Sequence, residues 1–129
     1  MLASKIKEIL AQAMRAPSGD NCQPWKFEIS NDGLIISDWC ERGVHFLNNG
    51  SHATWLSMGA LAESVKIIAS GQGLQTKIDA VSRATGEAVI QLKLSKSEEI
   101  VADPLVEAVP MRMTYRDRFT SCSSNQEKN

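Results

Sequence analysis

The segment SHATWLSMGALAESVKIIASG, from Ser51 to Gly71, constrains the fold more than any other part of the chain. Ser51 can cap the start of a helix there, and Gly71 can end it. Between them Trp55, Leu56, Met58, Leu61, Val65, Ile67 and Ile68 spread over most of a helical circumference, and Glu63 and Lys66 are the charges. A helix this apolar is central to a core or to an interface. Gly59, Ala60 and Ala62 leave room for another backbone to come close.

The rest of the chain must supply what packs on it. With 129 residues, 43% hydrophobic and 22% charged, the expectation is one globular domain with a modest core. The first segment, Ala3 to Arg15, places Ile6, Ile9, Leu10, Ala13 and Met14 on one helical face, and Pro17 stops it. KFEIS and LIISD flank the turn former NDG and read as a hairpin. WCERGVHFLNNG reads as an irregular connection with room for a helical turn. TKIDAVS and AVIQLKL read as a second hairpin around RATGE. A short helix is expected to start near Ser97, and another in LVEAV between Pro104 and Pro110. The order predicts an α+β domain over residues 1–119, an antiparallel or mixed sheet packed on a long buried helix, with a disordered tail at 120–129.

The net charge of -1, from 14 basic and 15 acidic residues, gives no electrostatic case for nucleic acid or an anionic membrane. No window approaches the roughly 20 apolar residues of a membrane span. Lys5, Lys7 and Glu8 interrupt the N-terminus, which is therefore not read as a signal peptide. Cys22, Cys40 and Cys122 form no CxxC pair and read as free thiols of a cytoplasmic protein. Cys40, His45 and His52 are too loosely spaced for structural zinc, so no metal site is expected. Phosphate-loop, dinucleotide and serine-hydrolase signatures are all lacking.

Two polar constellations remain. In APSGDNCQPW, Ala16 to Trp25, Ser18, Asn21 and Gln23 offer hydrogen bonds of both senses, Gly19 admits close backbone approach, and Pro17 and Pro24 stiffen the ends. This suits either a ligand or a loop that satisfies its own backbone. In RMTYRDRF, Arg112, Thr114, Arg116 and Arg118 alternate, so an extended segment would aim them one way. That suits either a phosphate or a solvated basic edge.

Helix, Pro-Ser-x-x-Asn-x-Gln-Pro-Trp, strand resembles the nitroreductase family of FMN-dependent oxidoreductases. Pro17, Ser18, Asn21, Gln23, Pro24 and Trp25 match in order and spacing. RMTYRDRF is similar to that family's Arg-x-Ser/Thr-x-Arg-x-Phe element through Arg112, Thr114 and Arg116, with Phe119 one residue late. The arginine element follows the loop here, whereas in single-unit members it precedes it. This order is similar to a divergent branch with two fused units, the second of which begins with the arginine element. The chain thus resembles a truncated or half unit: a first unit plus the opening of a second. The resemblance implies FMN contacted by Pro17, Ser18, Gly19, Asn21, Gln23, Arg112, Thr114 and Arg116, with no catalytic residue assigned. It implies NAD(P)H as donor and a nitroaromatic or quinone-like small molecule as acceptor. It also implies a homodimer, or pairing with a second nitroreductase-like unit, in which the arginine segment reaches a neighbour's loop. The alternative is a non-catalytic, degenerate module that binds flavin or dimerises without turnover.

Overall fold

The computed structural model describes residues 2–44, 48–82, 84–85 and 87–118. Helix α1 runs Leu2–Ala13 and is followed by strands β1, Trp25–Ile29, and β2, Gly33–Asp38. Helix α2, His52–Ser70, leads to strands β3, Leu74–Ser82, and β4, Ala88–Lys96. The result is α+β: one four-stranded sheet in the order β1-β2-β4-β3, with every neighbouring pair antiparallel. The mixed sheet left open by the sequence does not occur among the described residues. The expected tail at 120–129, with Phe119 and Cys122, lies outside them, as do His45 and, in the second hairpin's turn, Arg83 and Gly86.

Alternation decides which face of the sheet is covered. Trp25, Phe27 and Ile29 of β1 pair with Asp38, Ile36 and Leu34 of β2. Leu34 and Ile36 pair in turn with Leu92 and Ile90 of β4, which pair with Ile78 and Ala80 of β3. With period two, these residues all stand on one inner face. Both helices pack on it. Ile6, Ile9, Leu10 and Ala13 of α1 join Met58, Leu61, Ala62, Val65, Ile68 and Ala69 of α2 in one core with the strands. Each fully buried side chain of the Leu or Ile class contributes about 1.5–3 kcal/mol relative to exposure.

Helix α2 is less uniformly buried than its composition suggests. His52, Leu56, Gly59, Glu63 and Lys66 form an exposed stripe. The start of the helix also differs from expectation. Ser51 is left-handed, with φ 63°, and makes no side-chain cap. Asn48 does that work instead: its Oδ1 accepts from the Thr54 backbone N–H at 3.2 Å. Its Nδ2 donates to the Gly43 carbonyl at 2.7 Å and to Thr54 Oγ1 at 2.9 Å.

Gly71 does terminate α2, but not through a left-handed turn, since its φ is -64°. The residue with positive φ is Gly73, at 69°. A Cβ on Gly71 would lie 2.9 Å from Val106 Cγ1, so the glycine makes room for the returning C-terminal segment. No helix forms at Ser97, whose hydroxyl accepts the Glu99 N–H in a local turn. LVEAV forms successive turns and then a short 3₁₀ helix, Val109–Met111, with Val106 and Val109 packed against the core.

Gly33 shows how tightly β2 and β4 are laid together. A Cβ there would stand 2.1 Å from the Leu92 carbonyl oxygen, a backbone atom of the central strand pair. Gly33→Ala is expected to destabilise the fold by about 1–3 kcal/mol. Gly59→Ala, whose Cβ would meet nothing within 4 Å, is expected to stabilise it by up to about 1 kcal/mol through helix propensity. Denaturant midpoints of the two variants check the opposite signs.

Candidate functional site

The end of α1 sets the site. Met14 N–H still bonds to the Leu10 carbonyl at 2.9 Å, and Ala16, 3% exposed, anchors the chain beside the core. Pro17 then prevents another helical turn. The loop that follows is folded on itself. Asn21 N–H bonds to the Ser18 carbonyl and Cys22 N–H to the Gly19 carbonyl, both at 3.0 Å, closing a 3₁₀ turn over Gly19–Asn21. Ser18 Oγ accepts the Gln23 N–H at 3.0 Å. Buried Pro24 and Trp25 tie the far end to β2, since the Trp39 N–H donates to the Pro24 carbonyl at 3.0 Å.

This shape forces non-glycine residues into the left-handed region. Asp20 has φ 49°, Asn21 54° and Gln23 49°. Asn and Asp tolerate it best, but each such residue still costs on the order of 1 kcal/mol. Gly19, the residue expected to supply conformational freedom, does not adopt positive φ. Ser18 satisfies its own backbone, while the Asn21 side chain stays exposed.

The arginine segment meets this loop. After the 3₁₀ helix at Val109–Met111 the chain extends, and Arg112 Nε donates to the Arg15 carbonyl across 97 residues of sequence. A cation suits this position, where helix carbonyls run out. Within the chain, Arg112 thus lies against the end of its own α1, where loop 17–23 begins. Pro17, Ser18, Asn21, Gln23, Arg112, Thr114 and Arg116 line one cleft of about 320 Å³, together with Met14, Arg15, Ala16 and Met113. Among the described residues no carboxylate lines it. Strict alternation does not hold, because Met113 lines the cleft and Arg118 does not. Arg118 instead takes its backbone N–H to Asp117 Oδ1 at 2.8 Å.

Gly19 faces the other way. With Pro17, Ser18, Ala53, Leu56 and Ser57 it borders a smaller, mostly apolar cleft of about 230 Å³. Pro17 and Ser18 are therefore the partition between a cationic and an apolar recess. Arg15 and Leu56 were not singled out as site residues by sequence. Arg15 reads as an ordinary helix terminus and Leu56 as core, although Leu56 is 75% exposed.

The donor set suits an anionic small molecule that also carries hydroxyls. Guanidiniums at Arg15, Arg112 and Arg116 and the Thr114 hydroxyl suit a phosphate. Asn21 and Gln23 suit hydroxyls, and the Leu56 recess suits an apolar ring edge. Among the described residues no cluster of His, Cys, Asp and Glu could hold a metal, and no helix is long and apolar enough to cross a membrane. Compared with known proteins, the chain matches no family model, and no curated protein is significantly similar to it.

Cys22 belongs to the loop and Cys40 follows β2. Burial, then Asp20, pushes the Cys22 thiol above its ordinary pKa. Burial, then the Asp38 charge and hydrogen bond, does the same at Cys40. A raised pKa leaves less thiolate at neutral pH, and thiolate is the nucleophile. Both cysteines are expected to alkylate with iodoacetamide more slowly than free cysteine at pH 7.5, and to accelerate as pH rises toward and beyond their raised pKa. Peptide mapping after timed alkylation checks each site separately.

Proposed function

We propose that this chain is a nitroreductase-type flavin unit that holds FMN across the Pro17–Ser18 partition. The observation that carries the reading is the meeting of loop 17–23 and segment 112–116 in one cationic cleft. Both segments are the ones whose sequences resemble the family's flavin contacts.

In this reading Arg112 and Arg116 neutralise the phosphate, and Thr114 donates its hydroxyl to it. Arg112 is held by Arg15 through Nε, which leaves its terminal nitrogens to face the ligand. Asn21 orients the polyol chain, and its left-handed backbone fixes where its amide points. Bound flavin would supply hydride chemistry, from NAD(P)H to a nitroaromatic or quinone-like acceptor. The chain's own part is binding and orientation, and none of its residues is assigned an acid or base.

A second copy, or a second unit of the same type, would cover the cleft's open side and the exposed stripe of α2. Sedimentation velocity at high concentration is expected to show a dimer, and a strict monomer rules out the homodimer. A second reading, flavin binding without turnover, is favoured by the exposure of every residue from Met111 to Arg118. An electron-transfer site normally shields its flavin better than this.

Titration with FMN, followed by flavin fluorescence, tests the binding. Arg112→Ala is expected to weaken FMN roughly 10- to 100-fold, the loss of a charge-assisted contact. Riboflavin, which lacks the phosphate, should bind wild type and Arg112→Ala alike. Equal effects on both ligands would show that Arg112 does not hold phosphate. Oxidation of NAD(P)H with FMN and a nitro acceptor then separates the two readings: turnover removes the non-catalytic one.

A further inference from the structure

A different cleft lies where β2 meets the start of α2. Asp38 ends β2 in register with Trp25, and its spacing from Leu34 and Ile36 puts it on the inner, apolar face. It is 7% exposed. Its Oδ2 accepts the Cys40 thiol at 3.5 Å. Its Oδ1 is buried and has no hydrogen-bond partner among the described residues. Among the described residues no Lys or Arg forms an ion pair with it, the pairs found being Lys66 with Glu63 and Lys77 with Asp79. The nearest basic side chain in sequence, Arg42, is stacked instead on the Trp39 ring, 4.6 Å from its centroid.

An ionised carboxylate only accepts hydrogen bonds, and a buried one calls for a donor or a counter-charge. Among the described residues, neither the Ser51 nor the Thr54 hydroxyl, both lining the same cleft, bonds to Asp38 Oδ1, and the Asn48 amide is already committed. Both donor contacts of the Asn48 amide go to the Gly43 carbonyl and Thr54 Oγ1, and its oxygen takes the Thr54 N–H. Yet the same residues enclose space: Asp38, Cys40, Gly43, Asn48, Ser51 and Thr54 line a cleft of about 430 Å³. The rim beside the carboxylate is Cys40, which is exposed.

We propose that this cleft is a ligand site for a small primary ammonium group, with Asp38 as its anionic anchor. The ammonium supplies the missing charge and up to three donors in the space of one methyl group. Rotation of the Cys40 thiol opens the carboxylate to it. This site shares no residue with the arginine cleft and is independent of flavin binding.

The test is a titration of the intact protein with n-butylammonium chloride, with 1-butanol as the uncharged match, followed by amide shifts of Gly43, Asn48 and Thr54 in nitrogen-15 NMR. Saturable shifts with the ammonium alone are expected, with Kd on the order of 1 mM. Asp38→Asn, near-isosteric, should weaken the response at least about tenfold while Leu34 and Leu92 amide shifts confirm the fold. An equal response to 1-butanol, no saturable response, or an undiminished response in folded Asp38→Asn overturns the proposal. If Asp38→Asn does not fold, the wild-type comparison of ammonium with butanol decides alone.

Discussion

The packing of α2 across the inner face of the sheet is the constraint on which everything else rests. Met58, Leu61, Val65 and Ile68 occupy the space between α1 and the central strands, and none is more than 2% exposed. The two hairpins are separated in sequence by this helix, yet β2 and β4 pair. They can do so because one helix presents a broad apolar surface to both. An isolated two-stranded hairpin is marginal in water, whereas a four-stranded sheet with a covered face is not.

The same helix governs the cationic cleft indirectly. It ends at Gly71, where the missing side chain admits Val106. Ser70 Oγ accepts the Asp103 N–H at 2.9 Å and holds the strap just before Val106. Val106 and Val109 then pack on the core and deliver Arg112 to the end of α1. A glycine at a helix terminus is thus linked by packing, residue by residue, to the placement of a guanidinium more than forty positions further on.

Periodicity made both helices and both hairpins legible, because a covered face imposes its repeat on the sequence. The stretch Ala16 to Trp25 was legible as a structured loop, since its prolines and amides have few other uses. What sequence did not reveal depends on contacts between distant residues. Ser51 looks like a cap by composition, but Asn48 reaches the helix start from outside it and wins. Gly71 looks like a left-handed stop, but its reason is Val106. Leu56 looks like core because an exposed leucine in a helix has no sequence signature. Asp38 looks like the polar end of a strand, and only register shows that it points inward. The meeting of Arg112 with the end of α1 depends on the strap from Ser97 to Pro110, which has no regular structure before its final turns and hence no period to read.

The bond between Arg112 and Arg15 spans 97 residues. Closing a segment that long is entropically unfavourable until the intervening chain has already condensed. The cationic cleft is therefore a late event in the life of each molecule. During synthesis, loop 17–23 leaves the ribosome with the first hairpin, long before its arginine partners exist. The cleft comes into being only after the sheet, α2 and the strap are in place. A ligand that required both halves would select molecules in which both had come together.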